Sequence, residues 1–392
     1  MSKKPRKVRD LLIEETGGES YKAHKYSLDV SERSNFDYET ENIQWKKIAE
    51  TTNHKEKYVK LNSACENIIK NYEPILTYFL DGSRRVFKVD DVAYYNGNRS
   101  VIYPIIAGQI GVGCCCRKDK KKIIIEKFNR EIVLVVPDVA DADGKTGFFP
   151  ALTKKLNECE DLKRLRVSFS NVLSYTTSRN DNSKFEDRAT ARVQDKMIER
   201  EKELVAELVK ENKLGQDNYL IKDGSLEYRP APDLKKDFRK YQTFKHNYNW
   251  VLGVSKSFNS EVCLDLNGKS APGYIAKLPN RHRTPVACYD NPDYLGDIQF
   301  AVWYIRLREQ NQTRSPFDGI IKVEKILVSD DEIDNGMNSD TVDMLSAHLI
   351  NERNPVCYGS DIRWANHLYP IYMTEMFVKS RYISAESFLH LF

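Results

Sequence analysis

The chain switches between two hydrophobic periods. From Pro74 onward, "ILTYFLDGSRRVFKVDDVAYY", "RSVIYPIIAGQIGVGCCCR" and "KKIIIEKFNREIVLVVPD" are rich in β-branched and aromatic residues and are joined by short polar turns. That pattern predicts an antiparallel meander, with the "KDKKK" turn holding ammonium groups at a hairpin tip. "FEDRATARVQDKMIEREKELVAELVKEN" then adopts the helical period, built from good helix formers without Gly or Pro. Further strands are expected at "NYLIKDGSL", "NWVLGVSKSF", "QFAVWYIRLRE" and "GIIKVEKILV". Helices are expected at "FFPALTKKLNEC", "SDTVDMLSAHLINE" and "DIRWANHLYPIYMTEMFVKSRYIS". Residues 1–72 are polar, with helices around "VRDLLIEE" and "KYVKLNSACENIIKNY", and read as a helical N-terminal arm ahead of a main domain over 73–392. Antiparallel strands, a long helix, more strands and terminal helices predict an α/β or α+β domain with a mixed sheet.

Two strand-like runs end on the same tripeptide, "TYFLDGSRR" at Asp81 and "NYLIKDGSLEYR" at Asp223. Asp-Gly alone reads as a turn. Its recurrence after two apolar runs instead suggests two carboxylates carried by buried strands to an interior edge, each followed by a glycine that admits close approach. On the long helix, Val193, Met197, Ile198, Leu204, Val205, Leu208 and Val209 sweep one apolar stripe with Glu201 in its middle, while Glu199, Glu203 and Glu207 fall on the opposite side. A carboxylate facing the core is costly unless it is paired or binds a metal. Glu201 is therefore either a ligand or the partner of a core cation such as Lys256. Glu375 raises the same question amid Tyr372, Met373, Met376, Phe377 and Val378, with His367 nearby as a weaker rival. Several carboxylates at one point suit Mg²⁺ or Mn²⁺, hard ions that prefer oxygen donors and serve phosphodiester hydrolysis.

Composition narrows the choices. With 41% hydrophobic, 11% aromatic and 30% charged residues the chain has the make-up of a folded protein, and a net charge of +4 leaves nucleic-acid affinity to local patches such as "MSKKPRKVRD" and "RKDKKKIIIEKFNR". Eight cysteines include no CxxC pair, which argues against zinc, and Cys114, Cys115 and Cys116 read as buried strand residues rather than a reactive cluster. No apolar run approaches the ~20 residues of a membrane span, and the charged N-terminus lacks a signal-peptide core. A reduced, soluble, cytoplasmic protein is expected. Phosphate-loop, GxSxG and HExxH patterns are absent.

The ordered set "FLDGSRR", "LIKDGSL", "VLGVSKS", "WYIRL", "GIIKVE" and "YPIYMTE", spread over residues 75–384, resembles the NurA nuclease family. The resemblance implies a ribonuclease H-like core, Mn²⁺-dependent (or Mg²⁺-dependent) DNA cleavage, a homodimer and partnership with a HerA-type hexameric DNA-translocating ATPase, in DNA end processing or defence against foreign DNA. It implies Asp81 and Asp223 as metal ligands with a helical Glu as the third. Glu201 is nominated, and Glu199 and Glu203 remain open. Where family members commonly carry a histidine after the YP segment, this chain has Glu375, which implies a four-carboxylate site or an altered activity. Lys256 and Arg306, in basic-aromatic surroundings at strand ends, are the expected phosphate contacts. The alternative expectation is a DNA-binding or ring-capping subunit of such an ATPase complex that no longer cuts. A third is an unrelated enzyme whose two Asp-Gly turns lie far apart.

Overall fold

The computed structural model describes residues 7–21, 24–29, 44–48, 50–52, 56–96, 99–178, 183–226, 237–259, 272–290, 298–355 and 364–392. The N-terminal part contributes α1 (Val8–Thr16), β1 (Glu19–Ser20), β2 (Tyr26–Ser27), β3 (Gln44–Ile48), β4 (Val59–Lys60) and α2 (Asn62–Lys70). The meander follows as β5 (Leu76–Asn96), β6 (Arg99–Lys118) and β7 (Lys122–Pro137). After it come α3 (Phe148–Leu156), α4 (Glu160–Arg164), β8 (Asn171–Tyr175), α5 (Phe185–Lys210), β9 (Tyr219–Asp223), α6 (Phe238–Asn247) and β10 (Val251–Ser255). The chain continues through α7 (Pro272–Ala276), β11 (His282–Arg283), β12 (Ala287–Asp290), β13 (Gln299–Arg306), β14 (Ile320–Ile326), α8 (Asp330–Asn335), α9 (Ser339–Asn351), α10 (Tyr369–Ser380) and α11 (Ala385–Leu389).

The strands form one mixed sheet in the order β3-β12-β13-β14-β10-β9-β5-β6-β7-β8, flanked by helices on both faces, which is an α/β architecture. β5, β6 and β7 pair antiparallel along nearly their whole length. The β6–β7 turn is closed by Asp119 and Lys120 at φ 51° and 60°, the left-handed pair a tight hairpin requires. β9 lies parallel to both β5 and β10, with α5 preceding it and α6 making the crossover to β10. The first DGS does not end its strand: β5 runs through Asp81–Gly82–Ser83 without interruption, and only the second copy stops a strand, where Gly224 takes φ +86°.

Within 1–72, expected as an arm, the described residues include both anticipated helices and four short strands that pair into the main sheet. β1 and β2 pair with β5, β3 with β12 and β4 with β11, while α1 buries Val8, Leu11 and Leu12. Glu50 locks the segment further, receiving the guanidinium of fully buried Arg283.

α5 buries Ala189, Val193, Met197, Glu201, Leu204, Val205 and Leu208 against one face of the sheet. Val193, Met197, Leu204, Val205 and Leu208 each contribute about 1.5–3 kcal/mol by leaving water. Acidic Glu186 and Asp187 suit its positive N-terminal end, and Asn212 at φ 55° turns the chain away just past its end. The opposite face is covered by α2, α9 and α10 over one cluster and by α1, α3 and the C-terminal residues over another. Cys114, Cys115 and Cys116 are buried strand residues as expected, and burial pushes all three thiols up. Among the described residues no helix is long and apolar enough to cross a membrane.

Candidate metal centre

Strand register brings the two DGS segments together. In the parallel β5–β9 pair Leu80 is opposite Lys222, so Asp81 and Asp223 follow side by side. Side chains alternate along each strand. Leu80, Gly82 and Leu220 face α5, whereas Phe79 and Ile221 face the α9/α10 side. Asp81 and Asp223, in phase with Phe79 and Ile221, join the second set, and there they meet Glu375 of α10.

Pro370 in its first turn starts α10 without leaving an unmet donor, and the helix then lies close against β6. A methyl group on Gly113 would stand 2.7 Å from Val378 Cγ2, so the missing side chain permits that approach. Thr374 also donates to the carbonyl of Phe79. The result is a cluster in which carboxylate oxygens of Asp81, Asp223 and Glu375 all lie within 4.8 Å of one another.

Lys256, just past β10, completes the cluster. Its ammonium lies 2.9 Å from Asp223 Oδ2 and 3.6 Å from Glu375 Oε2. Lys379, one turn along α10, donates to Glu375 Oε1 at 2.6 Å. Burial, then the neighbouring Asp223, push the Asp81 carboxyl well above its ordinary 3.8, and Lys256 offsets only part of this. Glu375 behaves oppositely: burial acts to raise it, but Lys256 and Lys379 outweigh burial and bring it down to about 2. For Lys256 burial favours the neutral amine, and Asp223, Glu375 and Asp81 together hold its ammonium above the usual range.

Glu201 does not join this group. Among the three helical glutamates it is the one that turns inward, at 3% exposure, whereas Glu199 pairs with Lys196 and Glu203 with Arg200 on the outer side. It arrives from the α5 face over Gly82, however, and its Oε2 pairs with Lys222 Nζ at 3.2 Å. Lys222 in turn donates to the carbonyls of Asp223 and Ser225. The core cation that Glu201 requires is thus Lys222, not Lys256, and the pair braces the Asp223 turn from behind.

Arg306 is also corrected. It is 1% exposed, and its guanidinium donates to the carbonyls of Leu278, Ala276, Pro316 and Asp318. A side chain so committed ties the β13 end to neighbouring loops and has no reach toward a phosphate. His367 is buried edge-on against Tyr372 and lies outside the carboxylate triad. Sequence reasoning gave no role to Lys222, Asn366 or a basic margin at the C-terminal end of α10. In that margin Arg85 covers the Tyr382 ring at 5.1 Å, Arg381 covers Phe377 at 4.7 Å, and exposed Arg130 donates to Arg381 O. Arg130 closes the basic run "RKDKKKIIIEKFNR" and Arg85 follows Arg84 in "FLDGSRR", but neither pattern pointed to the neighbourhood of α10.

The donor set fits a hard divalent cation: three carboxylates in a largely buried site, with Glu375 Oε2 lacking a hydrogen-bond donor. Burial and the neighbouring carboxylates both disfavour charge on Asp81, and a bound cation would offset both. Comparison with protein-family models finds no match, and neither does comparison with curated proteins.

Proposed function

We propose that this protein is a metal-dependent DNA nuclease of the NurA type, acting by phosphodiester hydrolysis at Asp81, Asp223 and Glu375. The observation that carries the reading is the convergence of these three carboxylates within 4.8 Å, from two parallel strands and a helix. The topology supports it: the order β7-β6-β5-β9-β10, an antiparallel meander followed by two parallel strands with α5 and α6 between them, is what a ribonuclease H-like core would show.

Mn²⁺ or Mg²⁺ bound there would supply Lewis-acid activation of water and neutralise charge on the phosphate. The chain's own residues define the rest. Asp81 and Asp223 sit on rigid strands and fix two ligand positions, while Glu375 closes the third side from α10. Glu201, behind Gly82 and countered by Lys222, holds the Asp223 turn in shape. Lys256, Arg85, Arg130 and Arg381 provide the positive margin along which a DNA backbone would run, contacts that position without reading sequence. A HerA-type ATPase ring and a second copy of the chain are the partners this reading carries with it.

The test is cleavage of labelled single- and double-stranded DNA with MnCl₂, with and without a HerA-type ATPase. Wild type should cut only with a divalent ion, and Asp81→Asn or Asp223→Asn should lose more than about 100-fold, beyond the 10–100-fold typical of a supporting residue. Equal cutting by the variants would remove the site assignment. A silent wild type would leave a DNA-binding subunit that does not hydrolyse.

A further inference from the structure

Lys256 stands where a cation belongs. Its side chain is 9% exposed and its ammonium is shared between Asp223 and Glu375, with Asp81 adding a third attraction. The backbone beneath it is secured separately. Asn366, 3% exposed in the turn before α10, donates from Nδ2 to Lys256 O and Ile320 O, both at 2.9 Å, and accepts from Gly319 N at 2.6 Å. A fixed main chain therefore carries a charge at the end of an intrinsically flexible four-carbon stem.

Resting on the metal-centre reading above, we propose that Lys256 is an exchangeable counter-ion, which gives up the carboxylates to a divalent cation and turns its ammonium to the DNA phosphodiester. Two cations cannot hold the same carboxylate oxygens without strong mutual repulsion in a site so poorly hydrated. Lysine is suited to relocation, being a compact point charge on a flexible stem rather than a rigid fork. Metal binding and polyanion binding are then coupled, and the coupling is reciprocal. Without metal, Lys256 neutralises the acidic cluster and is withheld from phosphate. With metal, the same side chain becomes the phosphate contact.

Three measurements test this. Calorimetric titration with MnCl₂ should show Lys256→Met binding at least about tenfold more tightly than wild type, since a competing charge is gone, and Lys256→Arg close to wild type. Binding of a short labelled DNA duplex, followed by anisotropy in CaCl₂ or EDTA, should be strengthened by the metal at least about tenfold in wild type and by clearly less in Lys256→Met. In the unmodified wild type, acetylation of Lys256 by a water-soluble reagent, read by peptide mass spectrometry, should speed up when MnCl₂ is added and slow again when the duplex follows. This last measurement does not depend on any variant folding. Unchanged or slower acetylation with MnCl₂, or no gain in Mn²⁺ affinity in Lys256→Met, overturns the exchange. If wild type takes up Mn²⁺, Asp223→Asn does not, and Lys256 stays protected, the exchange alone fails. If wild type takes up none, the metal centre fails with it.

Discussion

A methyl group placed on Gly82 would lie 2.2 Å from Glu201 Oε1 and 3.0 Å from its carboxylate carbon, with Met197 at 3.2 Å. The glycine of the first DGS is therefore required by close approach of a helix carboxylate and not by a turn, since β5 continues straight through it. Gly82→Ala should cost about 1–3 kcal/mol of stability, as overpacking of a buried site does. In a Glu201→Ala background the same change should cost clearly less, because the clashing atoms are gone. Urea denaturation of the four proteins of this cycle measures the difference, and an equal cost in both backgrounds would mean that some other contact demands the glycine. At this scale the sequence was partly legible. The apolar stripe correctly turned Glu201 inward, but periodicity shows only which way a side chain faces and not what stands opposite. Lys222, the partner, is the one charged residue ahead of Asp223 in the apolar strand run "YLIKD", and nothing in that run says which helix lies over it.

Among the elements, α10 decides whether there is a site at all. It supplies Glu375, and the glycine side of β6 sets its depth: Cβ atoms at Gly111 and Gly113 would approach Val378 to 2.6 and 2.7 Å. Gly113→Ala should lift the helix and withdraw Glu375, weakening Mn²⁺ binding by about 10–100-fold, the range seen when the support of a ligand is lost. Adding Val378→Ala should recover most of that affinity by removing the clashing methyls. Calorimetric Mn²⁺ titration of the single and double variants checks this, and failure of Val378→Ala to rescue would show that the helix is held by other contacts. The long helix, the meander and α9 were predictable because each carries its period over many residues. α6 and the short strands β8 and β12 were not, since a few residues in a polar setting give too little pattern and take their conformation from the neighbours they pair with.

For the whole molecule, one buried histidine ties stability to pH. His348 of α9 is 4% exposed, and burial, followed by the Arg117 guanidinium, brings its imidazole down to about 4 from 6.5. Arg117 itself is engaged by Glu352 at 2.5 Å, and Tyr72 donates to the same carboxylate. Between pH 6.5 and about 4 the unfolded chain protonates His348 while the folded one does not. Stability from this residue is therefore complete above 6.5 and is lost as pH falls through that window, a loss of the order of 3 kcal/mol. His348→Gln should flatten the acid limb of a stability-versus-pH curve obtained by urea denaturation. An unchanged limb would place the acid sensitivity elsewhere.

The amino-acid order by itself determined the local periods, the buried character of the strand runs leading into both DGS segments and the inward face of the long helix, because these follow from nearest neighbours along the chain. Tertiary structure alone decided which carboxylates share a site. That depends on parallel register between β5 and β9, strands distant in sequence, and on a helix docked over glycines of a third strand. It likewise separated Lys256 from Arg306, two cations in similar sequence surroundings: one faces carboxylates, while the other has its donors taken by backbone carbonyls.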